Sequence, residues 1–497
     1  MILSVGVEIG GTFTDLVAIG PDGVQVAKVP STPVRPDEAA FRALEAAGIA
    51  AATIGEFVHG STVATNAVLE RRGARLALLV TEGFRDVLIL GRQDKLRLFD
   101  LRYRKPIPLV AREDSIEVPE RVLADGSVAL SLDMAPVEAR LTALLGGASI
   151  GAIAICLLNA YANPAHEQAL AALVHRLAPG LPVTCSHEVT QEFREYERAS
   201  TTALSAYVQP VLDAYLGRME ARLDEQGFTG EFSVMQSNGG RVPAVAMRRN
   251  AATALLSGPA AGVMGAVRQA GLSGVHDIIT LDIGGTSADV ALVERGRPDM
   301  AREAMVDGLV VQMPMLDITT VGAGGGSLAW VDEGGLLRVG PRSAGAEPGP
   351  AAYGRGGTRP TLTDAQVIAG RIPAGKLLAG GLVMDGAAAR AAFAPLAETL
   401  GLSIEATAES VVRIAVANVV AAVRLVSTER GRDPRQHVLV PYGGAGPLHA
   451  AAVAEELGMT RVLVPPRAGV LSAYGLLAAD HSLVWMAPGL QGQWMAI

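Results

Sequence analysis

Short β-branched runs bounded by glycine recur along the chain. Ile278 to Leu281 is one such run and reads as a buried strand. Gly284 and Gly285 interrupt it before Ala288 to Val293 resumes, giving a strand, a tight glycine turn and a second strand. Val5 to Ile19 repeats that pattern near the N-terminus. Pro21-Asp22-Gly23 is a turn, and Val24 to Val29 returns as a strand. Further strands are expected at 57–59, 76–80, 149–158, 182–186, 232–236, 438–442 and 462–464. Helical patterns cover 36–47, 61–71, 164–177, 192–220, 258–270, 385–400, 406–430, 447–457 and 472–479. Pro210 lies inside the longest of these and should kink or divide it. Residues 102–108 read as an Arg- and Pro-rich loop, and 320–360 as a glycine- and proline-dense insertion.

This is an α/β pattern in a chain of 497 residues, too long for one simple core. A composition shift near 190–200 predicts two lobes, 1–190 and 191–480, followed by an unpatterned tail, 481–497, with Trp485, Met486 and Trp494. The 57 glycines announce many tight turns. A net charge of −8 gives no reason to expect nucleic acid or an anionic membrane. Ile150 to Ala162 is too short to span a bilayer. Arg413 and Arg424 interrupt the apolar 411–426 run, which reads as a core helix. The N-terminus enters a strand with no basic leader, and Cys156 and Cys185 are the only cysteines. Together these point to a reducing cytoplasm.

The two glycine hairpins align without gaps. Glu8 falls on Asp282, Gly10-Gly11-Thr12 on Gly284-Gly285-Thr286, and Asp15 on Asp289. One copy fits a plain hairpin. Two copies with matched acids fit a duplicated domain whose turns face one cleft. Glycines permit φ > 0 and a close backbone approach, and turn amides suit phosphate. An acid at the strand end suits a hydrated Mg²⁺. Glu8, Asp282 and Asp289 are therefore the candidate metal and catalytic set. Gly10, Gly11, Thr12, Thr14, Gly284, Gly285 and Thr286 are the candidate phosphate grip.

Gly443-Gly444-Ala445-Gly446 lies between a strand and a helix, which fits a nucleotide-approaching turn or ordinary packing glycines. His449, beyond it, reads as a packed helix residue. The run His59 to Asn66 places hydroxyls at a helix start, where Thr62 is either an anion or carbonyl site or a simple cap. Gly322 to Ser327, preceded by Asp317 and Thr320, is a cleft loop or a structural one. Gly370 to Lys376 misses the P-loop pattern, since Leu377 stands where the hydroxyl belongs. Arg194, Glu195, Glu197 and Arg198 form a solvated helix face or a domain interface.

The hairpins resemble those of actin, sugar kinases and Hsp70. With His59–Asn66, Arg194–Arg198, Gln236–Gly240, Ser257–Gly262, Gly322–Ser327, Ser343–Ala346 and Gly443–His449, the chain resembles the hydantoinase A / 5-oxoprolinase family. The resemblance implies two actin-like lobes closing on Mg-ATP, with Gly443 and Gly444 near the adenosine. It implies ATP-dependent hydrolysis of a cyclic amide of the hydantoin, N-methylhydantoin or 5-oxoproline type, through phosphorylation of the amide carbonyl. His59, Thr62, Asn66 and Asp317 become substrate candidates. The chain would be an A subunit working with a B-type subunit in a hetero-oligomer. An ATP-dependent ketone carboxylase subunit, a metabolite kinase and an ATP-driven scaffold are the alternatives. Three positions depart from the family: Glu8 replaces the usual Asp, Ala352 a Cys, and Gln366 an Asn. Glu8 is longer by about 1.5 Å, one carbon–carbon bond. Family A subunits also continue into a further C-terminal domain, which is expected to be missing here.

Overall fold

A computed structural model describes residues 2–32, 35–95, 98–147, 149–378 and 381–482. The expected tail, apart from its first two residues, lies outside the described residues. Strands β1 (Leu3–Ile9) and β2 (Phe13–Gly20) form the first hairpin, and β3 (Gly23–Pro30) extends it. After helix α1 (Pro36–Ala47), β4 (Ile54–Ser61) runs parallel to β1 and leads into the short α2 (Val63–Leu69). A separate parallel sheet follows. It contains β5 (Leu76–Thr81), β6 (Ser115–Val118), β7 (Ala152–Cys156) and β8 (Val183–Cys185), in the order β8-β7-β5-β6.

Helix α3 (Glu195–Glu225) runs through Pro210, so the proline does not divide it. The proline removes one helical hydrogen bond. Burial of Tyr207 and Val208 on one side, and of Leu212 and Tyr215 on the other, holds both halves in one helix. β9 (Glu231–Met235) then pairs parallel with β4, and β10 (Arg241–Pro243) closes the edge. The N-terminal sheet therefore reads β10-β9-β4-β1-β2-β3. The first sheet does not end at residue 190: two of its strands come from the expected second lobe.

Helix α4 (Ser257–Leu272) precedes the second hairpin, β11 (Ile278–Ile283) and β12 (Ala288–Glu294). A ribbon follows, β13 (Met300–Val306) and β14 (Leu309–Leu316), which the sequence reading missed. Its turn is Asp307-Gly308 with both φ positive, a short hairpin signal. Val306, Leu309, Val311 and Met313 of this ribbon enter the core of the N-terminal half. β15 (Ile318–Val321) then flanks β12. After α5 (Ile404–Val426), β16 (Val438–Tyr442) runs parallel to β11. The strand expected at 462–464 is reduced to a single parallel bridge from Val462 to Leu439. Helices α6 (Gly446–Leu457) and α7 (Leu471–Ala478) complete the described chain.

The two hairpin sheets thus share one plan: an antiparallel hairpin, then a parallel strand beside its first member. Helices α4 and α7 lie between them, in one core with Val58 from one sheet and Ile278 and Val440 from the other. A Cβ at Gly475 would collide with the Ala261 carbonyl, so this helix pair approaches only through glycine. By length and composition, Ile404–Arg430 is long and apolar enough to cross a bilayer. In the fold, its Val411, Ala415, Val419 and Val423 are buried core residues.

Candidate active site

The acids of the two hairpins stand in equivalent rows across their sheets. In the first, Gly60, Glu8, Asp15 and Lys28 are successive cross-strand partners on β4, β1, β2 and β3. In the second, Tyr442, Asp282, Asp289 and Thr320 occupy the same order on β16, β11, β12 and β15. Lys28 Nζ lies 2.6 Å from Asp15 Oδ1 and also donates to the Gly469 carbonyl at 3.2 Å. Among the described residues Asp289 has no such cation; it accepts from Thr320 Oγ1 at 2.6 Å. The hairpins face each other closely enough that a Cβ on Gly285 would sit 3.2 Å from Thr12 Oγ1.

These acids hold their protons unusually well. Burial first, then Asp15 and Asp282, pushes Glu8 up to about 8. Burial, with Asp289 and Asp15 nearby, raises Asp282 to about 7. Burial raises Asp289 to about 6 against the Thr320 hydrogen bond. Asp15 is also raised by burial, with Lys28 opposing. Glu8 is 7% exposed, and its Oε2 has no hydrogen-bond partner. Desolvated acids that raise one another's pKa are relieved by a cation. Groups of three or more potential ligand residues whose ligand atoms all lie within 4.8 Å of one another occur, among the described residues, only at Glu167, Cys185 and His187. Glu8, Asp282 and Asp289 therefore do not converge as one inner shell. Their arrangement fits a hydrated Mg²⁺, which keeps several waters and uses one or two carboxylates with phosphate oxygens. Glu167 fits an ion less well, since its oxygens already accept from Leu157 N, Ser186 Oγ and His187 N and Nδ1.

The turns are braced from outside. Ser31 Oγ donates to the Gly10 carbonyl at 2.7 Å, and Ser31 N to the Thr12 carbonyl at 3.0 Å. Gly325 N and Gly326 N donate to the carbonyls of Gly284 and Gly285 at 2.9 and 2.6 Å. The 322–326 loop therefore packs directly on the second turn. Gly10, Gly11, Gly284 and Gly285 all avoid positive φ, contrary to expectation. Their value is space: no atom lies within 4 Å of a Cβ built on Gly11. Gly443 does take φ +78, and a Cβ there would strike Asp282 Oδ1. The Gly443–Gly444 turn is thus seated against the second row.

Three expected site residues lie elsewhere. Thr14 is fully buried and bonds Ser31 Oγ at 3.0 Å, so it props the turn rather than gripping a ligand. His59 is fully buried between the Val7 carbonyl at 3.0 Å and the Tyr215 hydroxyl at 2.6 Å. Burial lowers its pKa to about 4, leaving a neutral core histidine. Asp317, just before β15 and three residues from Thr320, is ion-paired with Arg430. Thr62 and Asn66 line a cavity of about 510 Å³ with Gly10 and Gly11. His449 is buried beside Gln366, 3.2 Å away, and its pKa falls to about 4. Arg198 is buried and donates to the Leu157 carbonyl at 3.0 Å, so its helix face is no solvated one. Lys28 and Tyr442 were missed, and Gly60 and Thr320 stood in flagged stretches without a role of their own.

The profile of the hydantoinase/oxoprolinase N-terminal region matches residues 4–178, and that of hydantoinase/oxoprolinase matches 198–483. The caprolactamase subunit alpha of Pseudomonas jessenii is 38% identical over 96% of this chain and 70% of its own length. The acetophenone carboxylase gamma subunit of Aromatoleum aromaticum is 34% identical over 99% of this chain and 71% of its own. Arabidopsis 5-oxoprolinase 1 is 35% identical, with 41% of its length covered. The crystal structure of the ATP-dependent caprolactamase superposes with a TM-score of 0.85 at 37% identity, over 97% of this chain and 71% of that one. Nucleotide-free acetone carboxylase gives 0.84 at 28% identity over the same shares. On these grounds the chain belongs to the hydantoinase/oxoprolinase family.

Proposed function

We propose that this chain binds Mg-ATP between its two hairpins, in an actin-like cleft, and activates a cyclic amide for hydrolysis. The observation that carries the reading is the pair of equivalent acid rows, each beside a Gly-Gly-Thr turn, that meet at Thr12 and Gly285. Relatives named for ATP-dependent lactam and 5-oxoproline chemistry support it.

Asp282, Asp289 and Glu8 would hold the hydrated metal, and the amides of both turns would receive phosphate oxygens. Mg²⁺ bound there would supply charge neutralisation on the transferring phosphoryl group. The chain's own work is positioning and electrostatic stabilisation. The amide carbonyl oxygen forms a bond to the γ-phosphorus. The bond from that phosphorus to the bridging oxygen breaks, and its electron pair leaves with ADP. The amide N–H proton passes to solvent. Water then adds at the activated carbon, the ring C–N bond breaks as the nitrogen takes up a proton, and a second water hydrolyses the resulting acyl phosphate to carboxylate and phosphate. A second, B-type polypeptide completes ring opening; relatives named as subunits support that assignment. A ketone carboxylase subunit is the runner-up, supported by the acetone carboxylase likeness.

The test is phosphate and ADP release with Mg-ATP, with and without lactams, hydantoins and ketones. The purified chain alone is expected to release no ring-opened product. Steady ring opening without a partner, or metal-independent ATP turnover, overturns the assignment. Turnover stimulated by ketone and bicarbonate, and not by lactam, moves it to the runner-up.

A further inference from the structure

We propose that the cavity beside the first glycine turn seats a small, uncharged cyclic amide, held by its cis-amide edge on the Asn66 carboxamide. This deepens the function proposed above and rests on it. The cavity's volume of about 510 Å³ lies in the usual range for small-molecule sites. Gly10 and Gly11 form part of its wall, so a carbonyl bound inside it shares a chamber with the first phosphate turn. Val63, Ala67 and Ala214 supply apolar surface for ring methylenes.

Asn66 is the polar group that fits an amide ring. Its Nδ2 donates one hydrogen bond to Thr62 Oγ1 at 3.2 Å. The second N–H and Oδ1 have no partner among the described residues. In an open-chain secondary amide the N–H and C=O lie on opposite edges, because the trans form is favoured by about 2.5 kcal/mol or more. A small ring forces the cis form and brings both groups to one edge. A primary carboxamide meets that edge with two hydrogen bonds, N–H to carbonyl and amide N–H to Oδ1. A ketone offers only half of this pairing.

Charge argues for a neutral ring. The cavity's two cations are already matched: Arg72 with Glu70 at 3.2 Å, and Arg218 with Asp37 at 3.2 Å. A ring bearing a carboxylate would compete with these acids for the two guanidinium groups.

The full chain is titrated calorimetrically, with Mg²⁺ and a non-hydrolysable ATP analogue present. The probes are 2-pyrrolidinone, ε-caprolactam, hydantoin, 5-oxoproline and cyclohexanone. At least one neutral ring amide should bind saturably, with cyclohexanone and 5-oxoproline about tenfold weaker or worse, the worth of one good hydrogen bond. Asn66→Leu should weaken the neutral amide about tenfold by removing the paired edge. Ala214 is on an exposed face of α3, so Ala214→Phe fills the cavity without touching the core and should weaken it similarly. The analogue is also titrated alone. If it fails to bind, the cleft assignment falls and this proposal with it. If it binds while no neutral amide does, while both variants keep full affinity, or while 5-oxoproline is preferred, this proposal alone is overturned.

Discussion

Glu8 and Asp282 hold the same place on their strands, yet their neighbours across the ladder differ at every position. Beside Glu8 stands Gly60; beside Asp282 stands Tyr442. A Cβ at Gly60 would collide with Glu8 Oε2, so the longer acid uses room that the missing side chain leaves. The shorter acid lies next to a buried tyrosine instead. On the other flank, Asp15 is neutralised by Lys28, whereas Asp289 has only a hydroxyl. A duplicated backbone has therefore become electrostatically unequal. The second row keeps more uncompensated negative charge, and so it is the better cation end.

The largest effect should expose that inequality. Asp282→Asn is expected to lower metal-dependent ATP turnover by about a hundredfold or more, since a catalytic metal supplies several kcal/mol and each 1.36 kcal/mol is tenfold. Asp15→Asn should cost about tenfold or less, because Lys28 already offsets that carboxylate. Phosphate-release rates on folded variants decide it. Equal losses would mean that the rows act alike.

The pH dependence of stability comes next. Glu8, Asp282 and Asp289 have folded-state pKa values near 8, 7 and 6, above their ordinary 4.5, 3.8 and 3.8. The folded state thus binds more protons than the unfolded one between pH 4 and 8. Their stabilisation is fully present below pH 4 and is lost as pH rises through 6, 7 and then 8. Each differentially bound proton changes stability by about 1.4 kcal/mol per pH unit. Denaturation of the metal-free chain should therefore show stability falling most steeply between pH 5 and 6, with the slope easing toward 8. Glu8→Gln should flatten the limb above pH 7. A limb that survives this change would assign it to another group.

Gly60→Ala tests the pairing of long acid with small neighbour. The added methyl meets the Glu8 carboxylate and lies 2.9 Å from Leu476 Cδ2. Overpacking of this kind costs about 1–3 kcal/mol. Glu8→Asp in the same chain should recover most of the loss, a coupling readable by a double-mutant cycle in urea. No recovery would make Leu476 the obstacle.

Much of this was legible before the structure. The hairpins stood out because strand period and glycine turn recur at identical spacing. Lys28 was also within reach: the two-residue Pro21-Asp22 turn pairs Gly20 with Gly23, and counting outward sets Asp15 opposite Lys28. Tyr442 and Thr320 were not within reach, since their places depend on long-range pairing of β16 and β15 with the hairpin. The sharing of the first sheet across residue 190 was out of reach for the same reason, because β9 joins β4 across more than a hundred residues. His59 misled because a histidine beside hydroxyls reads alike whether its ring nitrogens face a ligand or, as here, a carbonyl and a tyrosine.

The smallest effect concerns where the second row stops. Thr320 lies within β15 and Asp317 immediately before it, and only Thr320 lies opposite Asp289. Asp317 instead pairs with Arg430, and both side chains are partly open to solvent. Pairs of that kind are worth about 1 kcal/mol or less. Asp317→Ala should therefore leave nucleotide-analogue affinity unchanged and shift the urea midpoint only slightly. Thr320→Val, nearly isosteric, removes a hydrogen bond that favours the ionised Asp289 carboxylate and opposes its upward shift. Asp289 should then bind its proton more tightly. Analogue affinity with Mg²⁺ should weaken most near pH 6 and recover as pH rises, whereas the Asp317 variant should follow wild type at every pH. If Asp317→Ala weakens nucleotide or lactam binding while Thr320→Val does not, the row extends past β15 and Asp317 returns to the site.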